Sequence, residues 1–186
     1  MLKLLNSNVL IFRPYNPQDI EICHQLFEKF KQINETLKLP LRIGENLSFI
    51  TEDSEIDESE ILNNYCNTLI FTRQITRYIF LHGFKNPGMG KRSKKSILIS
   101  NLNDRYQIHE LEGIILHEVG ETLFGLYHHP PVIEPCAMAD LTLSLEELTQ
   151  ATMKGNIETI LQEFLDRCSA IPLNFCSKCW NKIKTL

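Results

Sequence analysis

The chain has 186 residues, of which 43% are hydrophobic and 23% are charged, as in an ordinary soluble globular protein. This length suits one domain with a sizeable core. The net charge of −4 argues against nucleic acid as the main partner, because neutralising phosphates requires a positive surface. The N-terminus lacks the apolar core of a signal peptide, and no apolar run is long enough to span a bilayer. We therefore expect a cytoplasmic protein that does not bind membranes.

The N-terminal part alternates strand and helix patterns and indicates a mixed α/β domain. The predicted elements, in chain order, are a strand at 8–12, a helix at 18–37, a strand at 39–51, a short helix at 57–66, strands within 67–84, a strand at 95–102 and a helix from Tyr106 to Phe124. Two charged runs, the acidic residues 51–60 and the basic residues 90–95, are interpreted as solvated loops.

The C-terminal part has a different pattern. Ser144 and Glu147 form the capping box of a helix start, and apolar residues at helical spacing predict a helix over 156–170. Beyond this helix lies a CxxC sequence at residues 176–179. We expect a single domain over residues 1–186, in which about 1–128 form an α/β part and about 129–186 a C-terminal part.

The stretch HEVGETLFGLYHH, residues 117–129, begins like the zinc-binding helix of a metalloprotease. Positions four apart lie on one face of a helix, so His117 and Glu121 can bind one metal ion together. Glu121 stands where the HExxH motif has histidine, yet two histidines and a glutamate form an established catalytic zinc site. The negative charge of Glu121 would weaken the ion as a Lewis acid. Glu118 is placed to accept a proton from zinc-bound water, whose pKa falls towards about 7.

The residues after this helix can supply the third ligand. Gly125 predicts a left-handed turn at the helix end, after which His128 or His129 returns to the metal. Met138, in the sequence Cys-Ala-Met, is expected to form a hydrophobic floor beneath the ion. His109, eight residues before the first histidine of the motif, is a reserve ligand at most.

These segments, in this order, resemble the archaemetzincins, which are zinc metallopeptidases of the metzincin clan. The family motif is HExxHxxGxxH followed directly by Cys, then Cys-x-Met and CxxC. The resemblance is sharp over about residues 96–179 and implies a zincin-like mixed sheet with an active-site helix, a Met-turn and a helical, zinc-stapled C-terminal part. It implies that His117 and His128 bind the catalytic zinc ion. Glu118 would be the general base and Met138 the Met-turn residue.

The resemblance also implies a second, structural zinc ion. Cys136, Cys176 and Cys179 match three of the four cysteines that bind it in the family. His129 stands in place of the fourth, and Cys168 is the competing candidate. A redox role would favour a CxxC at a strand-to-helix turn early in a βαβ unit, which is not the position of this one.

The sequence also departs from the family pattern at other positions. Glu121 replaces the middle histidine, and the outer histidines are eleven positions apart instead of ten. We assign the extra residue to Leu123 and expect a π-bulge in the helix, a common result of a single insertion. The interval from Cys136 to Cys176 is forty positions, roughly twice that of the family, and an inserted helix near 156–168 accounts for the surplus.

Two functions are compatible with this pattern. The first is a zinc-dependent metallopeptidase acting on peptide or protein substrates. The resemblance implies that such a substrate pairs antiparallel to an edge strand, for which we expect the SILIS segment (96–100). The alternative is a catalytically degenerate homologue that keeps only the structural zinc and acts as a binding protein, which the glutamate ligand and the insertion favour. A metal-responsive regulator has less support, because no DNA-binding pattern accompanies the cysteines. The pattern does not predict the oligomeric state.

Overall fold

The computed structural model describes residues 8–52, 64–73, 88–91, 96–101, 106–130, 134–140, 166–167 and 169–186. Within these ranges the strands are β1 (Asn8–Pro14), β2 (Leu41–Glu45), β3 (Thr68–Thr72), β4 (Gly88–Lys91) and β5 (Ser96–Ser100). The helices are a short 3-10 turn (Pro17–Asp19), α1 (Ile20–Leu37), α2 (Ile108–Thr122) and α3 (Ser177–Ile183). No helix among these is long and apolar enough to cross a membrane.

Five strands form one mixed sheet in the order β2-β1-β3-β5-β4. Strand β1 pairs in parallel with β2 and with β3, and β3 pairs in parallel with β5. Strand β4 pairs antiparallel with β5 and lies at the edge of the sheet. Parallel neighbours require a crossover connection, and α1 provides it between β1 and β2. The predicted mixed α/β fold is therefore confirmed.

The central strands are buried on both faces, as is typical of a parallel sheet covered on two sides. Every residue of β3 is buried. Leu69 and Phe71 join the main core beneath the helices, whereas Ile70 packs with Tyr15 and Leu98 on the opposite face. The main core continues from β1 to α3 and so includes residues of both the α/β part and the C-terminal part.

Helix α1 packs on the main core through one apolar face. Its buried residues recur every three or four positions, the spacing of an amphipathic helix, and are Cys23, Leu26, Phe30 and Ile33. The ring of Phe30 lies 5.7 Å from that of Phe12 in β1, measured between centroids. This contact fixes the helix across the sheet.

Helix α2 is buried at every residue from Leu111 to Gly120. It lies beside α1 on one side and beside β4 and β5 on the other. The C-terminal part also approaches it closely, since a Cβ at Gly113 would lie 2.6 Å from the carbonyl oxygen of Ile171. A glycine is required there by this close approach. A helix held on three sides is a rigid support for the residues at its C-terminal end.

Three local predictions need correction. The predicted strand at 39–51 ends at Glu45, because the Asn46 side chain accepts a hydrogen bond from the Ser48 N–H and turns the chain. The basic run at 90–95 is not wholly a loop, since its first two residues belong to β4. The SILIS segment is not the edge strand, since β5 lies between β3 and β4.

Two predicted helices fall almost wholly outside the described residues. These are the helix at 57–66, of which residues 64–66 are described, and the inserted helix near 156–168. Both remain predictions.

Candidate metal centres

The extra residue of the HExx motif is accommodated at the end of α2. The helix is regular from Ile108 to Thr122, so the π-bulge predicted inside it is wrong. The chain widens after the helix instead: the N–H of Phe124 donates to the Val119 carbonyl, and that of Leu126 donates to the Gly120 carbonyl. These bonds reach back five and six residues, against four in an α-helix. The surplus length is therefore absorbed before the chain turns.

Gly125 makes that turn. Its φ angle is +59°, so the predicted left-handed glycine is confirmed. No described atom lies within 4 Å of the position that a Cβ would occupy, so glycine is needed for its backbone conformation rather than for space. The turn brings the following histidines back towards the helix end.

Three side chains converge there, and we name them the helix-end centre: His117, Glu121 and His128. The Nε2 atoms of the two histidines are 3.0 Å apart, and His128 Nε2 is 3.1 Å from Glu121 Oε1. A tetrahedral zinc ion with bonds of about 2.0–2.1 Å separates two such atoms by about 3.3 Å. The three side chains fit such an ion after a small outward movement.

A hydrogen bond orients the first of these candidate ligands. The Nδ1–H of His117 donates to the Ala137 carbonyl. This bond selects the tautomer whose Nε2 lone pair faces the helix-end centre. Burial lowers the pKa of His117, and the hydrogen bond to Ala137 only partly opposes this. The imidazole is therefore neutral at pH 7, which is the form that binds metals.

Glu118 is a buried carboxyl with one oxygen that lacks a partner among the described residues. It is 5% exposed, and its Oε2 atom has no hydrogen-bond partner among the described residues. Burial, and to a smaller degree the charge of Glu121, raises the pKa of Glu118 to about 8. A buried polar atom without a hydrogen bond is energetically unfavourable, and such atoms are often found at catalytic sites. A carboxyl that exchanges its proton near neutral pH is suited to general acid–base catalysis.

Met138 packs directly on α2. A Cβ at Gly120 would lie 2.5 Å from the Met138 sulfur and 3.1 Å from the ring of Phe175. Met138 is fully buried, and Gly120 is the residue before Glu121. The absence of a side chain at Gly120 thus lets the Cys-Ala-Met segment lie against the helix at the helix-end centre.

A second group of four side chains lies in the C-terminal part, and we name it the cysteine centre: His129, Cys136, Cys176 and Cys179. The His129 Nε2 atom is 3.3 Å from Cys136 Sγ and 3.6 Å from Cys176 Sγ, and the sulfurs of Cys136 and Cys179 are 3.7 Å apart. Tetrahedral zinc separates a nitrogen from a sulfur by about 3.6 Å and two sulfurs by about 3.8 Å. The observed spacings are close to those of a filled zinc site, and the group can bind a structural zinc ion.

The charges in the cysteine centre also favour a cation. Burial, and then the negative charge of Cys136, raises the pKa of the Cys179 thiol to about 12. Three thiolates therefore cannot coexist in this space unless a positive charge joins them. The Nδ1–H of His129 donates to the Pro130 carbonyl at 2.8 Å, which leaves Nε2 facing the thiols.

The two remaining candidate ligands lie elsewhere. Cys168, the competitor for the fourth position, is outside the described residues. His109 is exposed in the first turn of α2 and belongs to neither centre.

Sequence reasoning missed two supporting residues. The Glu134 carboxylate accepts a hydrogen bond from the Ser177 N–H at 2.7 Å and thereby caps α3. Lys182 donates to the Gly125 carbonyl, and its ammonium lies 4.6 Å from the centre of the Tyr127 ring. The position of Lys182 near the CxxC was visible in the sequence, but its partner is a backbone carbonyl, which every residue has.

Comparisons with known proteins support the fold. No family model matches the sequence, and no curated protein matches it. Among solved structures, the chain is similar to a crystal structure of archaemetzincin from Methanopyrus kandleri, with a TM-score of 0.61 and 14% sequence identity, over 99% of this chain and 98% of that one. The chain therefore has the mixed α/β fold of that archaemetzincin.

Proposed function

We propose that this chain is a zinc-dependent peptidase whose catalytic ion binds at the helix-end centre. The observation that carries the proposal is the convergence of three metal-binding side chains beside the buried carboxyl of Glu118. The similar fold of an archaemetzincin supports the proposal, and so does the group of thiols that can bind a structural zinc ion.

The helix-end centre has the form of a catalytic site rather than of a structural one. Three protein ligands leave one position of a tetrahedral ion for water or substrate. The His128 side chain is 36% exposed and the Glu121 side chain 26% exposed, so the centre opens to solvent on one side. When bound, zinc supplies a Lewis acid and lowers the pKa of a water ligand.

Glu118 is the proposed general base. It accepts a proton from the water that attacks the peptide carbonyl carbon, and it returns that proton to the nitrogen as the C–N bond breaks. Its buried position and raised pKa match a group that must both take up and release a proton near neutral pH. The charge of Glu121 raises that pKa further, because two carboxylates close together disfavour ionisation of both.

The substrate is proposed to bind along β4. Among the described residues, β4 pairs only with β5, so the outer edge of β4 has free backbone groups. This strand also lies beside α2, which carries the catalytic residues. An extended peptide can add to such an edge through main-chain hydrogen bonds.

Replacement of Glu118 by Gln tests the mechanism. The amide keeps the shape of the side chain but cannot accept the proton, so hydrolysis of a fluorogenic peptide library should fall by about 10²–10⁴-fold. The exchange Glu35→Gln, at an exposed position of α1, is the matched control and should leave the rate unchanged. Hydrolysis that is the same in both variants would refute the role of Glu118.

The second candidate function is a catalytically inactive binding protein that keeps only the structural zinc. Glu121 favours it, since an anionic ligand makes a weaker Lewis acid of the ion than histidine does. Metal analysis of the purified protein separates the two proposals. Two zinc ions per chain support the peptidase, whereas about one ion, retained when His117 is changed to Ala, supports the binding protein.

A further inference from the structure

The two centres are linked through consecutive residues of the Cys-Ala-Met segment. Cys136 contributes a thiol to the cysteine centre, and the next residue, Ala137, accepts the hydrogen bond that orients His117. The Ala137 N–H donates to the Asn174 carbonyl at 2.7 Å, which ties the segment to the chain just before α3. Any shift of Cys136 therefore moves the acceptor that sets the direction of the His117 ring.

A peptide bond provides the second link. His128 belongs to the helix-end centre and His129, its neighbour, to the cysteine centre. The backbone N–H of His129 donates to the Met138 carbonyl at 3.2 Å, and the His129 carbonyl accepts from the Asp140 N–H at 2.8 Å. A metal bond to His129 would fix its backbone against residues 138–140. It would thereby also fix the neighbouring backbone that positions His128.

The third link comes from α3. This helix carries Cys179 of the cysteine centre and, three residues later, Lys182. Lys182 donates to the Gly125 carbonyl and lies over the Tyr127 ring, so it contacts the turn between α2 and His128. A change in the orientation of α3 would therefore move the turn that positions His128.

We propose that the cysteine centre positions the candidate ligands of the helix-end centre. Metal binding at the cysteine centre therefore raises the metal affinity of the helix-end centre. The proposal rests on the proposed function in one respect, namely that the helix-end centre binds a metal ion. Groups that orient metal ligands typically change metal affinity by about 10- to 100-fold when they are removed. Because coupling between two sites is reciprocal, a filled helix-end centre also strengthens metal binding at the cysteine centre.

A consequence is ordered loading. The cysteine centre has four ligands, three of them sulfur, and fills first with zinc. The helix-end centre then binds its ion about 10- to 100-fold more tightly in chains whose cysteine centre is already filled. A chain that has lost the first ion therefore holds the second more weakly by the same factor, and its activity falls where metal is scarce.

Cobalt titration of the whole protein tests the coupling. Wild type, Cys176→Ser and Cys66→Ser are each prepared with one equivalent of zinc and titrated with cobalt(II). Cobalt at the helix-end centre gives weak d–d bands, whereas cobalt at thiolates adds sulfur-to-cobalt charge transfer, so the two centres are distinguished. The dissociation constant at the helix-end centre should rise about 10- to 100-fold in Cys176→Ser. Cys66 is exposed and outside both centres, so Cys66→Ser should match wild type.

A second set of variants leaves the cysteine centre intact, in case Cys176→Ser does not fold. Lys182→Met removes one hydrogen bond to the turn and should weaken cobalt binding at the helix-end centre about two- to tenfold. Lys182→Arg keeps a donor and should restore the affinity. Lys184→Met removes a charge from the exposed end of the same helix and is the matched control.

The outcomes separate this inference from the proposed function. Equal cobalt affinity in wild type, Lys182→Met and every folded cysteine variant would overturn the coupling and leave the peptidase proposal standing. If wild type binds a single ion, at the thiolates alone, both are overturned. Weaker binding in Cys176→Ser and in Lys182→Met, with the controls unchanged, supports the coupling.

Discussion

The two candidate centres are neighbours in space and in sequence, yet they have opposite designs. The cysteine centre has four candidate ligands, and its three sulfurs come from residues that are at most 5% exposed. The helix-end centre has three candidate ligands, and two of them are open to solvent. A closed set of four suits a structural ion, and an open set of three suits catalysis. The adjacent histidines His128 and His129 belong to different groups of candidate ligands, although they are one residue apart.

The centres also differ in how they are assembled. The helix-end centre comes from one helix and the turn after it, over eleven positions of the chain. The cysteine centre joins residues 43 and 47 positions apart, so distant segments of the chain must come together before its candidate ligands meet. Metal binding to ligands that are dispersed in the unfolded chain contributes directly to folding. We therefore expect metal at the cysteine centre to dominate stability and metal at the helix-end centre to dominate activity.

The largest expected effect is the loss of the structural ion. Stripping zinc from the cysteine centre with a strong chelator should lower the melting temperature by about 10 °C or more, because several kcal/mol of binding free energy is lost. His128→Ala, which removes a candidate ligand of the helix-end centre alone, should lower it by a smaller amount, about 3–5 °C, because the ion there also strengthens metal binding at the cysteine centre. Differential scanning calorimetry measures both. A fall of the same size in His128→Ala would erase the distinction between the centres.

The next largest effect is a pH dependence of the free energy of unfolding, which arises from Glu118 beside the helix-end centre. With the cysteine centre filled and no further metal, burial raises the pKa of Glu118 from 4.5 to about 8 in the folded chain. The stability that its protonated form contributes is fully present below pH 4.5 and is lost as the pH rises through about 8. The free energy of unfolding should fall by up to about 1.4 kcal/mol per pH unit across this window.

Urea unfolding of wild type and of Glu118→Gln at several pH values isolates this contribution. The glutamine cannot ionise, so the difference between the two proteins should grow steadily from acid to neutral pH. Since both carry the same cysteine centre, its own titration cancels. Parallel curves for the two proteins would mean that Glu118 is not held protonated by its surroundings.

A smaller effect is expected from the glycines of the HEVGETLFGLY segment. In Gly120→Ala the new methyl group meets the Met138 sulfur at 2.5 Å and should destabilise the protein by about 1–3 kcal/mol. It should also weaken metal binding at the helix-end centre, because the Cys-Ala-Met segment is displaced. Gly125→Ala meets no described atom and is unfavourable only through its φ of +59°, by about 1–2 kcal/mol. Thermal melts measure the loss of stability in both variants, and cobalt titrations measure the metal affinity of the helix-end centre. Equal metal affinities in the two variants would contradict the role of the Met138 contact.

The sequence predicted the fold class and the helix that carries the motif, because both depend on periodic patterns over many residues. It also predicted the left-handed Gly125, since that conformation favours one residue type. It did not predict β4 at the sheet edge, because Gly-Met-Gly-Lys has no strand pattern of its own and owes its pairing to β5. The π-bulge predicted at Leu123 was wrong, because the helix ends at Thr122 and the wider hydrogen bonds come after it.

The sequence did not predict the hydrogen-bond acceptors of His117 and Lys182, because both are backbone carbonyls. The acceptor of the His117 hydrogen bond is the backbone carbonyl of Ala137, and the acceptor for Lys182 is that of Gly125. Every residue offers such a carbonyl, so only the fold determines which one is used. The separate assignment of His128 and His129 came from resemblance, and the structure places each in a different group of ligands.

Anomalous scattering at the zinc edge from crystals of the zinc-loaded protein tests directly whether a metal ion binds at the helix-end centre. Two peaks are expected. One should lie among the four side chains of the cysteine centre. The other should lie about 2.0–2.2 Å from the nearest ligand atoms of His117, Glu121 and His128. A single peak at the cysteine centre, with Glu121 turned towards solvent, would contradict a catalytic ion at the end of α2.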